Sequence, residues 1–137
     1  MPIFTSESQG GSSVDQRDYY RERYDASQED WQRRSFEMII KFIDRLESDF
    51  PKTSIWLLTS HDRLVLMDSP KFDEGAWLVT LEKVLISEFH FRYRMIEHPI
   101  PNARGQFIAR GLEEALARLR VAMCECGGWT DSGDLAC

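Results

Sequence analysis

His90, Arg92 and Arg94 fall on one parity of the run Glu88–Met95, together with Glu88, while Phe89, Phe91, Tyr93 and Met95 fall on the other. Strict alternation of this kind predicts a half-buried strand, apolar side in and charged side out. Cationic groups in a row, with Glu97 close by, suit an anion or a carboxylate, because arginine offers paired donors in a fixed fork. The same residues also read as a solvated sheet face whose charges are met by cross-strand partners such as Glu82. No glycine-rich loop joins a strand to a helix, since Gly10-Gly11 and Gly127-Gly128 lie in other contexts. An acidic protein surface is therefore a better match for this row than a phosphate.

The acidic residues offer the converse. Asp62, Asp68, Asp73 and Glu74 occupy a turn and the loop after it, flanked by Trp56 and Trp77. Loops on a rigid scaffold commonly carry binding residues, and tryptophan is a frequent interface anchor. This set is the candidate interface for a basic protein partner. In the alternative, both tryptophans belong to the core and the acids only solvate the surface.

Other groupings carry less. Ser60-His61-Asp62 holds the residue types of a hydrolytic triad, but three neighbours in sequence do not converge as nucleophile, base and orienter. They are ordinary turn chemistry. Cys124-Glu125-Cys126 is tighter than the usual spacing of zinc-ligand pairs, and Cys137 alone adds a third thiol. Glu113 and Glu114 point about 100° apart on a helix and are explained by the favourable field at its N-terminus. No residue is assigned a catalytic or metal-binding role and no cofactor is implied, so an enzyme is not the favoured reading.

The composition bounds the class. A chain of 137 residues suits one domain, and 42% hydrophobic with 29% charged residues is ordinary for a globular protein. The net charge of -6 argues against generic binding to nucleic acid or anionic membrane. Three cysteines, all from position 124 onward, do not form a disulfide framework. Met1 to Glu7 shows no basic-then-apolar leader, and no apolar run reaches membrane-spanning length. The expected location is the cytoplasm.

The elements that must position these residues follow from periodicity. Residues 1–14 read as a flexible tail, 15–128 as one domain and 129–137 as a second tail. Tyr19, Tyr20 and Tyr24 have helical spacing, which leaves a short helix and a disordered arm both open for 15–26. A helix over 28–49, capped by Ser27, carries the stripe Trp31, Phe36, Ile39, Ile40, Ile43, Leu46 and stops at Pro51. Strands are predicted at 54–59, 64–67, 77–84 and 86–97, with one long bent strand as the alternative for the last two. Ala103–Arg110 fits a fifth strand or the beginning of the last helix, the strand being preferred, and 112–124 reads as that helix, ended by Gly127-Gly128. The predicted class is α+β: a two-layer sandwich in which an antiparallel meander of four or five strands is packed by an N-terminal and a C-terminal helix.

The run Ala109-Arg110-Gly111-Leu112-Glu113-Glu114-Ala115-Leu116 is a strand-turn-helix pattern shared by many small α+β domains and carries no activity. In size, acidity and fold class the chain resembles the small acidic bacterial proteins that neutralise toxins or escort secreted effectors. That resemblance transfers no residue. It implies a protein-binding module, an inhibitor, immunity-type or chaperone-like partner of a basic protein. The alternatives are an anion-binding or enzymatic domain using His90, Arg92 and Arg94, and a structural homodimer built on a sheet face or edge.

Overall fold

A computed structural model describes residues 3–5, 15–70, 78–95, 99–100, 103–130 and 132–135. Asp73, Glu74 and Trp77 of the candidate interface lie outside these residues, as do Glu97, His98 and Cys137. The elements are β1 (Ile3–Thr5), α1 (Gln16–Ala26), α2 (Asp30–Asp49), β2 (Ile55–Ser60), β3 (Arg63–Met67), β4 (Val79–Leu85), β5 (Glu88–Arg94), β6 (Arg104–Arg110) and α3 (Leu112–Glu125). The α+β class holds, with six strands rather than four or five and three helices rather than two. The sheet runs in sequence order, β1 to β6; β1 is parallel to β2 and every later pairing is antiparallel. β1 falls where a flexible tail was expected, and three residues are too few to show a period.

One face of the sheet meets the helices. Leu57, Leu64, Leu66, Val79, Leu81, Phe89, Phe91 and Ala109 project there and join Tyr20 of α1, Phe42, Ile43 and Leu46 of α2, and Leu116 and Leu119 of α3 in one buried cluster. Phe42 sits between Phe89 and Phe91, with ring centroids 5.9 and 5.7 Å away, and Phe107 stacks on Phe91 at 4.8 Å. On the far face Leu58, Val65 and Met67 form a small second cluster under Trp56, whose ring stacks on Phe4 at 4.8 Å. A Cβ at Gly105 would collide with the Tyr93 ring directly across from it.

Local chemistry sets the ends and turns. His61 and Asp62 both have positive φ (52° and 63°), the two-residue hairpin turn that matches strand twist. Ile86 (φ 59°) and Ser87 close the β4–β5 hairpin, so the single bent strand is excluded. A β-branched residue in the left-handed region costs of order 1–3 kcal/mol. Ser27 follows α1 instead of capping α2, and its hydroxyl donates to the Arg23 carbonyl; α2 begins after Glu29 with no side-chain cap. Trp31 leaves the predicted stripe, being 49% exposed at the first turn of α2. Part of the expected C-terminal tail is tied down: Trp129 is buried and its indole N–H donates to the Ser54 carbonyl at 2.9 Å, while Asp134 accepts from Lys52 and Thr53 at 2.7 Å.

α1 is held mainly by polar contacts. Asp15 caps it by accepting from the Arg17 backbone N–H at 2.9 Å, and the Arg17 guanidinium reaches Asp15, Asp44 and Glu47 at 2.8, 2.7 and 3.2 Å. Gln16 meets Thr59 and Tyr20 is buried beside them. The Arg17 side chain holds the Asp15 carboxyl below its ordinary value of 3.8. A depressed carboxylate pKa stabilises the fold above the unfolded value, and that stability is lost as pH falls through the folded one. Asp15→Ala is therefore expected to cost about 0.5–2 kcal/mol at neutral pH and to flatten the acid limb of stability below about pH 4. Urea melts across that range check this; identical acid limbs in the two proteins would count against it.

Candidate functional site

The helix-free face divides into an apolar half over β2–β3 and a charged half over β4–β6. A one-residue irregularity in β4 creates the charged half. Leu81 pairs with Phe91 and Val84 with Phe89, so Glu82 and Lys83 together span a single step of β5. This β-bulge keeps Leu81 and Val84 in the core and turns both charged residues outward. A regular strand would place Lys83 inside and Val84 in water.

Across the sheet, Lys83 lies opposite His90 and His90 opposite Ile108; Thr80 lies opposite Arg92 and Arg92 opposite Gln106. A trough of about 660 Å³ runs over these rows, lined by Glu82, Lys83, His90, Arg92, Gln106 and Ile108, with Phe91 and Phe107 between them. It is open to solvent along its length. Arg92 contacts Glu82 at 3.4 Å and Arg63 reaches the same carboxylate at 3.7 Å. The Gln106 amide, with oxygen turned toward Arg92, accepts from its guanidinium at 3.0 Å. One carboxylate thus meets two cations, and exposed Lys83 makes no ion pair among the described residues. His90 Nε2 is closed off from solvent and makes no hydrogen bond. Its 3.5 Å approach to Glu88 lies beyond the usual range for one.

Two of the three sequence candidates on this face therefore converge, and Arg94 does not. Its guanidinium donates to the Cys126 carbonyl at 3.2–3.3 Å, beyond the last turn of α3, where a cation is favoured. Tyr93 turns to the helix side and its hydroxyl donates to Glu125 at 2.5 Å, which pushes its pKa up to about 12, with burial adding to the shift.

The acidic candidates are dispersed. Asp62 is occupied by α1: it accepts from Arg23 at 2.8 Å and from the Tyr19 hydroxyl. Burial, then this bond, raises the Tyr19 pKa. Asp68 is exposed beside a notch of about 310 Å³ formed with Lys52, Thr53, Ser54 and Trp129. Trp56 covers the second apolar cluster. Cys126 is a buried thiol whose pKa is raised by burial, Cys124 is disulfide-bonded, and no group of metal-ligating side chains gathers among the described residues.

Lys83, Gln106 and Ile108 join the site without having been singled out. A readable signal existed for the first: two charged residues between Leu81 and Val84 break the alternation, as a bulge does. Removing one bulge residue should restore a regular strand without moving the core. Deletion of Lys83 is expected to give a folded protein within about 2 kcal/mol of the parent, measured by urea unfolding; an unfolded product would show that the core depends on the bulge.

No protein-family model matches the chain, and comparison with curated proteins and with solved structures returned no significant match.

Proposed function

We propose that the protein is a binding domain that takes an acidic segment of a partner protein into the trough over β4–β6. The observation that carries this is the make-up of the trough lining: Lys83 and Arg92 stand there against one carboxylate, Glu82, which Arg92 already contacts, beside the Nε2 of His90, which makes no hydrogen bond among the described residues. Arg92 and Gln106 are already aligned by their mutual bond, so a carboxylate arriving there meets donors in place. Half-exposed Ile108 supplies an apolar contact at the side of the trough. The toxin-inhibitor or chaperone-like role is kept as a protein-binding role, but with the partner's charge reversed. The described acid best placed for a basic partner, Asp62, is committed to Arg23 and Tyr19.

A second reading shares the chemistry. His90 Nε2, screened from solvent and without a hydrogen bond, also suits a small free carboxylate that reaches deeper than a peptide.

The test selects peptides from a random display library on the wild-type protein and on Lys83→Glu/Arg92→Glu. Asp- and Glu-rich peptides are expected, weakened at least tenfold by the double variant and by raising ionic strength from about 0.05 to 0.5 M. Competition by millimolar dicarboxylates would move the assignment to the small ligand. Peptides without acidic residues, or peptides held equally by the variant, would overturn both readings. Circular dichroism confirms that the variant is folded.

A further inference from the structure

A different surface, away from the trough, carries an independent inference. Trp31, Leu85 and Ile86 are large apolar residues with 49%, 40% and 55% of their surface exposed. Trp31 and Ile86 line one notch of about 440 Å³ with Gln28, Glu29, Asp30 and Arg34. Two elements meet here, the first turn of α2 and the tip of the β4–β5 hairpin. Ser35 locks them: its buried hydroxyl donates to the Trp31 carbonyl at 2.9 Å and accepts the Ile86 N–H at 3.3 Å.

The hairpin tip is unusual in its residue. A two-residue turn with positive φ at its first position normally places glycine there, yet this chain holds isoleucine at φ 59° with its side chain in water. Turn stability is given up for an exposed branched side chain next to an exposed tryptophan. Trp31 is the kind of large aromatic that anchors interfaces, and the Ser35 lock means that little ordering remains to be done on binding.

Charge identifies the occupant. Around Trp31 the chain reads Glu29-Asp30-Trp31-Gln32-Arg33-Arg34, acids before the tryptophan and bases after it. Asp30 and Arg33 make a long ion pair at 3.8 Å, while Glu29 and Arg34 are exposed and make none among the described residues. The four charges of this segment, Glu29, Asp30, Arg33 and Arg34, balance, although the chain carries a net charge of -6. A strongly charged partner gains nothing from such a patch. A second copy turned by a two-fold axis near Trp31 sets the acids of each chain against the bases of the other and buries Trp31 and Ile86 between them.

We infer that the start of α2 and the β4–β5 tip form a self-complementary surface through which two copies of the chain associate. The test is sedimentation velocity over a wide concentration range on the full chain. A species of twice 16.0 kDa is expected, weakened at least tenfold by Trp31→Ser. Ile86→Gly is the control for folding, because glycine relieves the positive φ; it should keep the fold while losing the dimer. Glu29→Arg and Arg34→Glu should each weaken association and their combination should restore it, the signature of a paired contact. A monomer at every concentration, or a dimer indifferent to Trp31→Ser and Ile86→Gly, would overturn the assignment.

Discussion

The rest of the structure depends on the burial of one parity of sheet side chains beneath the helices. Strand side chains alternate, so a slip of one residue would turn a whole strand inside out. Phe89 and Phe91 packed against Phe42, with Phe107 stacked on Phe91, make that slip prohibitive. Burying one phenylalanine side chain is worth about 1.5–3 kcal/mol, whereas an exposed ion pair such as Arg92–Glu82 contributes about 0–1. The aromatic core therefore decides the register, and charges on the opposite face take the positions left to them. The bulge at Glu82–Lys83 shows the ranking directly: the backbone departs from regular pairing so that Leu81 and Val84 both stay inside.

That ranking also leaves the trough free to serve a function. A face that contributes little to stability tolerates an excess of one charge. The trough lining holds Lys83 and Arg92 against a single carboxylate, Glu82, on the sheet, while Asp44 and Glu47 of α2 are taken by Arg17 of α1. Charges fixed on strands need little rearrangement to meet an incoming group. Their reach is limited by salt to about 8–10 Å, so local charge in the trough matters more to a docking segment than the net charge of the whole chain.

Legibility in the sequence tracked the length and strictness of the pattern. The alternation from Glu88 to Arg94 and the last helix were readable, because each repeats its period several times, whereas Ala103–Arg110, without a strict period, fitted either a strand or the start of the last helix. β1 was not, since Ile3, Phe4 and Thr5 pair with residues more than fifty positions away. Arg94 followed the parity of His90 and Arg92, yet the carbonyl of Cys126, brought near only by folding, takes its guanidinium. Trp31 matched the helical stripe, but it lies in the first turn of α2, where it remains half exposed. The turn at Ile86 carried no glycine or asparagine to announce it. A departure of this last kind, where a residue violates the local preference of its position, leaves no pattern in the sequence to read.

The β6 edge of the sheet offers little to strand addition. An open edge strand is a ready template for pairing with another chain. β6 is blunted instead: Arg118 donates to the Ile108 carbonyl at 3.1 Å, Glu114 takes the Arg110 N–H, and Arg104 and Arg110 are exposed charges along the strand. Two copies joined along β6 would lose these bonds and bring arginines together. At the hairpin tip the chain does the reverse, holding Ile86 in a strained conformation with its side chain exposed next to Trp31. With the β6 edge closed by charge and an apolar patch exposed elsewhere, the association proposed above would run through side-chain packing, which can form a closed pair, rather than through strand addition at β6, which propagates.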